Sequence, residues 1–181
     1  MVQIWKEKSL DKCEVTTKIV VGILSLGNKY AIDYYKTVLS SGGNAGYCII
    51  SSPKENSYSI YYIQAILNSK YIEWYCSLIG SIFRGGYISH GTQVLKKLPI
   101  PIIDFSNRKQ KKTHDHIVIL QKELIDTFDK IENENNERIK TPLQRKFNQK
   151  KQELDSVIKN LFQLGKDDLI IPIISEKYET N

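Results

Sequence analysis

Residues 57–78 read SYSIYYIQAILNSKYIEWYCSL, and here the period of the chain changes. Ile63, Leu67, Tyr71, Trp74 and Leu78 recur three to four residues apart, a spacing that lines one face of a helix or of two consecutive short ones. Upstream the pattern is different. VTTKIVVGIL (15–24) is rich in β-branched residues and GYCIISS (46–52) is a second short apolar run, which predicts strands. Gly42, Gly43 and Asn44 tolerate positive φ and predict a tight connection into that second run.

Downstream of the helical stretch, Gly80 and the pair Gly85-Gly86 punctuate SIFRGGYISHGTQVLKKLPIPII (81–103). Pro99 and Pro101 hold their neighbours extended and mark a boundary. Ile117, Leu120, Leu124, Phe128 and Ile131 then make one apolar stripe of a helix, and Leu143, Phe147, Leu154, Val157 and Leu161 a second. A polar turn is expected between Asn133 and Lys140. Thr141 as N-cap, Pro142 at the first helical position and Gln144 three residues on predict the second helix start, and Gly165 its end. Residues 114–164 thus read as an antiparallel helical pair, with Leu169 to Ile174 as a short closing helix interrupted at Pro172. The expected fold class is α+β, with a β-rich lobe containing helices (1–106) followed by a C-terminal helical hairpin (107–181).

The chain has 181 residues, 41% hydrophobic and 25% charged, which suits one folded domain or a compact module with an appended arm. No run reaches the roughly 18 apolar residues of a membrane span, and MVQIWKEKSL lacks the pattern of a secretory signal. A cytoplasmic protein is expected. Cys13, Cys48 and Cys76 have no CxxC spacing and are expected to be buried reduced thiols. Catalytic constellations are wanting: there is no GxxxxGK[ST] loop, no GxGxxG after a strand and no GxSxG elbow. His114 and His116 stand two apart, about 200° around a helix, a poor match for one metal, and are expected to be exposed at a helix start.

The net charge is +6, and its distribution tells more than its size. Residues 1–106 carry 11 basic and 7 acidic side chains, 107–151 carry 12 and 7, and 152–181 carry 3 and 6. Arg108, Lys109, Lys111 and Lys112 form a basic run expected just before a helix; Arg145, Lys146, Lys150 and Lys151 form a helical cluster. Either can face phosphates, and either can be an ordinary solvated face.

Tyr61-Tyr62-Ile63-Gln64-Ala65-Ile66-Leu67-Asn68-Ser69-Lys70, followed by Ile72-Glu73-Trp74-Tyr75, Gly85-Gly86-Tyr87 and Leu95-Lys96-Lys97-Leu98-Pro99-Ile100-Pro101, resembles the TaqI-like C-terminal specificity domain. That family's pattern is an apolar helix ending in Leu-Asn-Ser, a Gly-rich loop and a strand closing on Leu-Pro-Ile-Pro. Leu154 to Leu164 with Asp167-Asp168 resembles its closing helix. The resemblance implies the target-recognition end of an N6-adenine DNA methyltransferase or fused restriction-modification enzyme. It also implies S-adenosylmethionine as a cofactor held elsewhere in the parent protein, since neither the Gly-rich cofactor motif nor an Asn-Pro-Pro-Tyr motif for a flipped adenine occurs here. This chain is expected to be non-catalytic.

The partners so implied are double-stranded DNA and the methyltransferase part of the parent. In the loop at 84–93, Arg84 is a candidate for a phosphate or for guanine O6 and N7, while Gly85 and Gly86 let backbone approach the duplex. Tyr87, Ser89, His90, Thr92 and Gln93 offer further donors and acceptors; Lys96 and Lys97 are candidate phosphate contacts, extended by Arg108, Lys109, Lys111 and Lys112. Leu95, Leu98 and Ile100 are expected in the core. Tyr58, Tyr61, Tyr62, Tyr71, Trp74 and Tyr75 are expected to pack rather than stack on bases. The rival reading is a protein-interaction or homodimerisation module built on the helical pair.

Overall fold

A computed structural model describes residues 3–6, 17–35, 37, 46–51 and 58–165. The Gly42–Asn44 connection, Cys13, Asp167-Asp168 and the closing helix at 169–174 lie outside the described residues. The chain divides into two compact units, one running through Ile100 and the other beginning at Pro101.

The first unit is built on a four-stranded antiparallel sheet of β1 (Gln3–Lys6), β2 (Lys18–Gly22), β4 (Ala31–Asp33) and β5 (Tyr47–Ser51) in the order β1-β5-β2-β4. The β-branched run supplies β2, which pairs Ile19 with Ile50 and Val21 with Cys48 across β5. All four side chains are buried. Alternation sends them to one face, as the two-residue period of a strand requires. β3 (Leu24–Ser25) leaves this sheet and pairs with β6 (Ile88–Ser89), Leu24 opposite Ser89 and Ser25 opposite Ile88.

Two helices follow the sheet, α1 (Ile60–Leu67) and α2 (Lys70–Ile79), and α3 (Thr92–Leu95) comes after β6. Ser59 caps α1 by accepting from the Tyr61 N–H. Every residue from Tyr62 to Leu67 is buried, so α1 is a core helix, apolar on nearly all sides. Each large apolar side chain it buries contributes about 1.5–3 kcal/mol. Of the two expected arrangements the structure has the consecutive short helices, but their common apolar stripe does not reach Leu78. Ser69 caps α2 afresh, which resets the helical phase: Tyr71, Ile72 and Cys76 turn inward and Leu78 is left 62% exposed. Cys48 and Cys76 are buried free thiols, as expected, and burial pushes Cys76 up to about 12.

The second unit is an antiparallel pair, α4 (Arg108–Glu132) and α5 (Glu137–Leu161). Phe128 meets Phe147 at 6.1 Å, the Lys150 ammonium pairs with Glu123, and His116 Nε2 lies 3.3 Å from Glu153, a register that falls on one helix as it climbs on the other. Ile117, Leu120, Leu124 and Ile131 of α4 and Leu154 and Ile158 of α5 are the buried apolar positions of the pair, and Phe128 is 49% exposed. α5 starts earlier than Thr141-Pro142 predicts. Asn136 caps it, its Oδ1 accepting from the Arg138 N–H, and Pro142 lies inside the helix. Pro142 and Arg138 are both exposed, so the carbonyl that loses its intrahelical donor faces solvent.

The far end also differs. Gln163, not Gly165, takes the left-handed position at φ 57. Its N–H reaches Asn160 O at 3.1 Å and Leu164 N–H reaches Lys159 O at 3.2 Å, a Schellman closure. His114 is buried rather than exposed: α4 begins six residues before it, and its ring packs edge-on against Phe105 at 5.0 Å. Among the described residues no helix is long and apolar enough to cross a membrane.

Candidate nucleic-acid interface

The Leu67-Asn68-Ser69 turn fixes the platform from which the Gly-rich loop projects. Asn68 Oδ1 accepts the Tyr30 N–H at 3.0 Å and its Nδ2 donates to Tyr30 O at 2.9 Å, so one side chain pairs with the main chain as a neighbouring strand would. Gln64 Nε2 donates to the same carbonyl at 2.9 Å, and Asn28 Nδ2 reaches Leu67 O at 2.6 Å. Ser69 Oγ donates to Ile66 O at 2.7 Å while capping α2. Three amides thereby lock the end of α1 onto the segment that carries Tyr30, and the Ser69 hydroxyl ties the start of α2 back to α1.

From the end of α2 the chain makes a tight hairpin over 82–88. Phe83 N–H donates to Tyr87 O at 2.8 Å, Gly86 N–H donates to Phe83 O at 3.1 Å, and Ile82 bridges to Ile88. Gly85 and Gly86 stand at φ +85° and +80°, which explains the glycine pair: side-chain-bearing residues rarely adopt that region. The hairpin base is fixed. Ser89 N–H donates to Ser81 O at 3.0 Å, His90 N–H to Ile23 O at 2.7 Å, and Ile88 is fully buried. A Cβ on Gly80 would lie 2.8 Å from Cys76 O, so this position demands glycine by close approach alone.

The structure puts the expected loop residues in different environments. Arg84 and Gly85 are exposed at the hairpin tip and Tyr87 is 46% exposed beside them, while Gly86 is buried. Ser89 and Thr92 are half-buried, the Thr92 hydroxyl 3.9 Å from Cys48 Sγ. Gln93, Lys96 and Lys97 are exposed around α3, whose Val94 and Leu95 face the core; Leu98 and Ile100 are only half-buried. His90 is not on this surface. Its side chain is fully buried, with Nδ1 3.0 Å from the Tyr30 hydroxyl and the rings edge-to-face at 5.6 Å, so it offers no edge to a duplex. Burial pushes the imidazole down to about 4, against a weaker upward pull from the nearby Gly27 backbone. Nε2 makes no hydrogen bond of ordinary geometry among the described residues.

Arg108, Lys109, Lys111 and Lys112 belong to the second unit. They lie within the first turns of α4 rather than before it, because Asn107 Oδ1 caps the helix by accepting from the Lys109 and Gln110 N–H groups at 3.0 and 3.3 Å. All four are exposed, and the first turn carries no acidic residue to complement the helix dipole. Of the aromatic residues expected to pack, Tyr62 and Tyr71 are buried and Tyr58 stacks on Tyr62 at 5.7 Å.

The tip also exposes apolar side chains that are not among the expected site residues. Ile82 is 56% and Phe83 49% exposed, flanking Arg84. Their signal lay in the letters SIFRGGY, where two large apolar residues abut a glycine turn too short to bury them. Another overlooked feature is Lys18, fully buried in β2 with its ammonium 2.6 Å from Asp33. Desolvation raises the Asp33 carboxyl, but donors from Lys18, Tyr35 and Thr37 outweigh it and hold the group well below the usual carboxylate range.

Residues 2–100 match the TaqI-like C-terminal specificity domain, a span that ends where the first compact unit ends. A protein of Escherichia coli named type II restriction enzyme and methyltransferase RM.Eco57I is 47% identical over 174 residues, which cover 96% of this chain. The chain spans 17% of that relative's length.

Proposed function

This chain belongs to the TaqI-like C-terminal specificity domain family, and from that premise we propose that it reads DNA sequence for a larger methyltransferase or restriction-modification protein. One observation supports this reading above others. The hairpin tip and α3 present Arg84, Lys96 and Lys97, and residues 74–103 contain no carboxylate to neutralise them. Phosphates are the complementary surface, and a rigid loop with an arginine at its apex suits a base edge in the major groove.

In this reading Lys96 and Lys97 hold the backbone, while Arg84, Tyr87 and Gln93 provide discrimination. The basic first turns of α4, in the second unit, offer phosphate contacts of their own. The partner is the methyltransferase part of an N6-adenine enzyme, where S-adenosylmethionine is bound and the reaction takes place. This chain contributes orientation, setting which adenine is presented, and performs no step of the transfer.

The test is a mobility shift with a randomised duplex pool at low and moderate salt. The native chain should bind with affinity that falls steeply as salt rises, and the combined Arg84→Ala, Lys96→Ala, Lys97→Ala variant should bind more weakly with a slope smaller by roughly two, one for each lysine assigned to a phosphate. Binding indifferent to salt, or unchanged in the variant, overturns the assignment. A concentration-dependent dimer without DNA binding would point to the helical pair as an interaction module.

A further inference from the structure

The hairpin tip carries more than charge. Ile82, Phe83 and Tyr87 are each about half exposed, and they surround Arg84 on a turn closed by two left-handed glycines. Exposed apolar side chains scattered over a surface need no explanation, but three together at the apex of a protruding, anchored turn do. Folding gains little from them there. Water covers them in the free chain, so whatever removes that water supplies the stabilisation.

We infer that Phe83, supported by Ile82, is an apolar wedge that enters a base step of duplex DNA while Arg84 grips the adjoining backbone or base edge. The inference rests on the DNA-recognition reading above and adds to it a deformation of the duplex. Three observations carry it. The main chain of the tip is fixed, since Phe83 is held by Tyr87 O and Gly86 N–H and the hairpin base by Ser81, Ile23 and the buried Ile88, so the position from which the half-exposed ring projects is set. The flank is cationic and free of carboxylates from residue 74 to 103, which selects a polyanion over an apolar protein surface. Finally, Gly85 and Gly86 carry no side chain at the apex, and the Gly85 position meets nothing closer than the Tyr87 ring at 3.5 Å, leaving a narrow profile for entry between bases. Apolar side chains inserted in this way unstack a step and kink the duplex by about 20–90°.

The experiment uses the full chain and a duplex enriched from the randomised pool, labelled at both ends for energy transfer. Native protein should shorten the end-to-end distance on binding. Phe83→Ala should melt at the native temperature, bind roughly ten-fold more weakly and leave the duplex close to straight; Phe83→Leu should retain most of the bend. A duplex that native protein binds specifically without bending overturns the wedge and leaves sequence recognition standing. So does an unchanged bend with Phe83→Ala. Failure of native protein to bind any duplex overturns both readings, and self-association lost in Phe83→Ala would reassign the tip to a protein contact.

Discussion

Replacing Asn68 with alanine should destabilise the lobe by about 2–4 kcal/mol, although the side chain is small and partly exposed. The magnitude follows from what each partner keeps. Tyr30 O loses the Asn68 bond but retains the one from Gln64 at 2.9 Å, so its loss is that of one ordinary hydrogen bond, about 1 kcal/mol. Tyr30 N–H keeps nothing, because Asn68 Oδ1 is its acceptor at 3.0 Å, and an orphaned interior donor costs about 1–3 kcal/mol. The backbone at position 68, φ −85° and ψ 3°, suits alanine, so the helix cap itself survives. Gln64→Met is the internal control: it leaves Tyr30 O bonded to Asn68 and should cost only about 1 kcal/mol. Both tryptophans, Trp5 and Trp74, lie in the first unit, so tryptophan fluorescence during urea titration reads lobe unfolding without the helical pair. An Asn68→Ala loss below about 0.5 kcal/mol, or one smaller than that of Gln64→Met, would refute the accounting.

Other consequences are open to the same measurement. The His90 imidazole stays neutral in the fold down to about pH 4 while the unfolded chain takes up its proton near 6.5. Lobe stability should therefore be flat above pH 6.5 and decline by roughly 3 kcal/mol as pH falls from 6.5 to 4, because the unfolded state binds the extra proton. His90→Gln should flatten that window, and a native profile already flat there would contradict the assignment. Asp33, held below its ordinary 3.8, contributes a loss that begins only under that value and so separates from the histidine. Gly80→Ala should cost on the order of 1–3 kcal/mol from the clash with Cys76 O, and a neutral result would mean that α2 and the hairpin base can part. Gln163→Gly should stabilise the helical pair by roughly 0.5–1 kcal/mol, read by far-ultraviolet circular dichroism during thermal melting; a loss would show that Gln163 makes a contact outweighing its backbone strain.

What the sequence disclosed depended on whether the cause was local. β-branched runs at 18–22 and 47–51 became paired strands, and the apolar repeats at 117–131 and 154–158 became a helical seam, because period and burial are both written along the chain. The glycine pair at 85–86 was legible for the same reason. Errors arose where two local signals competed. Asn136 and Thr141 both make good caps, and the choice fell to the earlier one, which adds a turn and leaves Pro142 exposed. Ser69 likewise won over an apolar spacing that ran through it.

The candidate site was legible in its charges and illegible in its packing. Arg84, Lys96 and Lys97 stand out in the letters as cations in and beside a glycine turn, and all three are exposed. His90 could not be sorted from its neighbours Ser89 and Thr92, since its fate is decided by Tyr30, 60 residues away. Phe83 and Ile82 are half exposed although large apolar residues are most often buried, so residue type alone does not mark them as surface. Asn68 stands in the sequence as one letter of a short motif, and its role as a strand-like clamp on Tyr30 gives that motif a physical reason.

The central claim is that this lobe distinguishes one DNA sequence from another, and the most direct test is to sequence the duplexes that native chain retains from a randomised pool at moderate salt. The account predicts one enriched motif, with enrichment collapsing in Arg84→Ala while residual salt-sensitive binding persists through Lys96 and Lys97. Retained duplexes with no sequence in common, from a chain that nonetheless binds the pool, would contradict it.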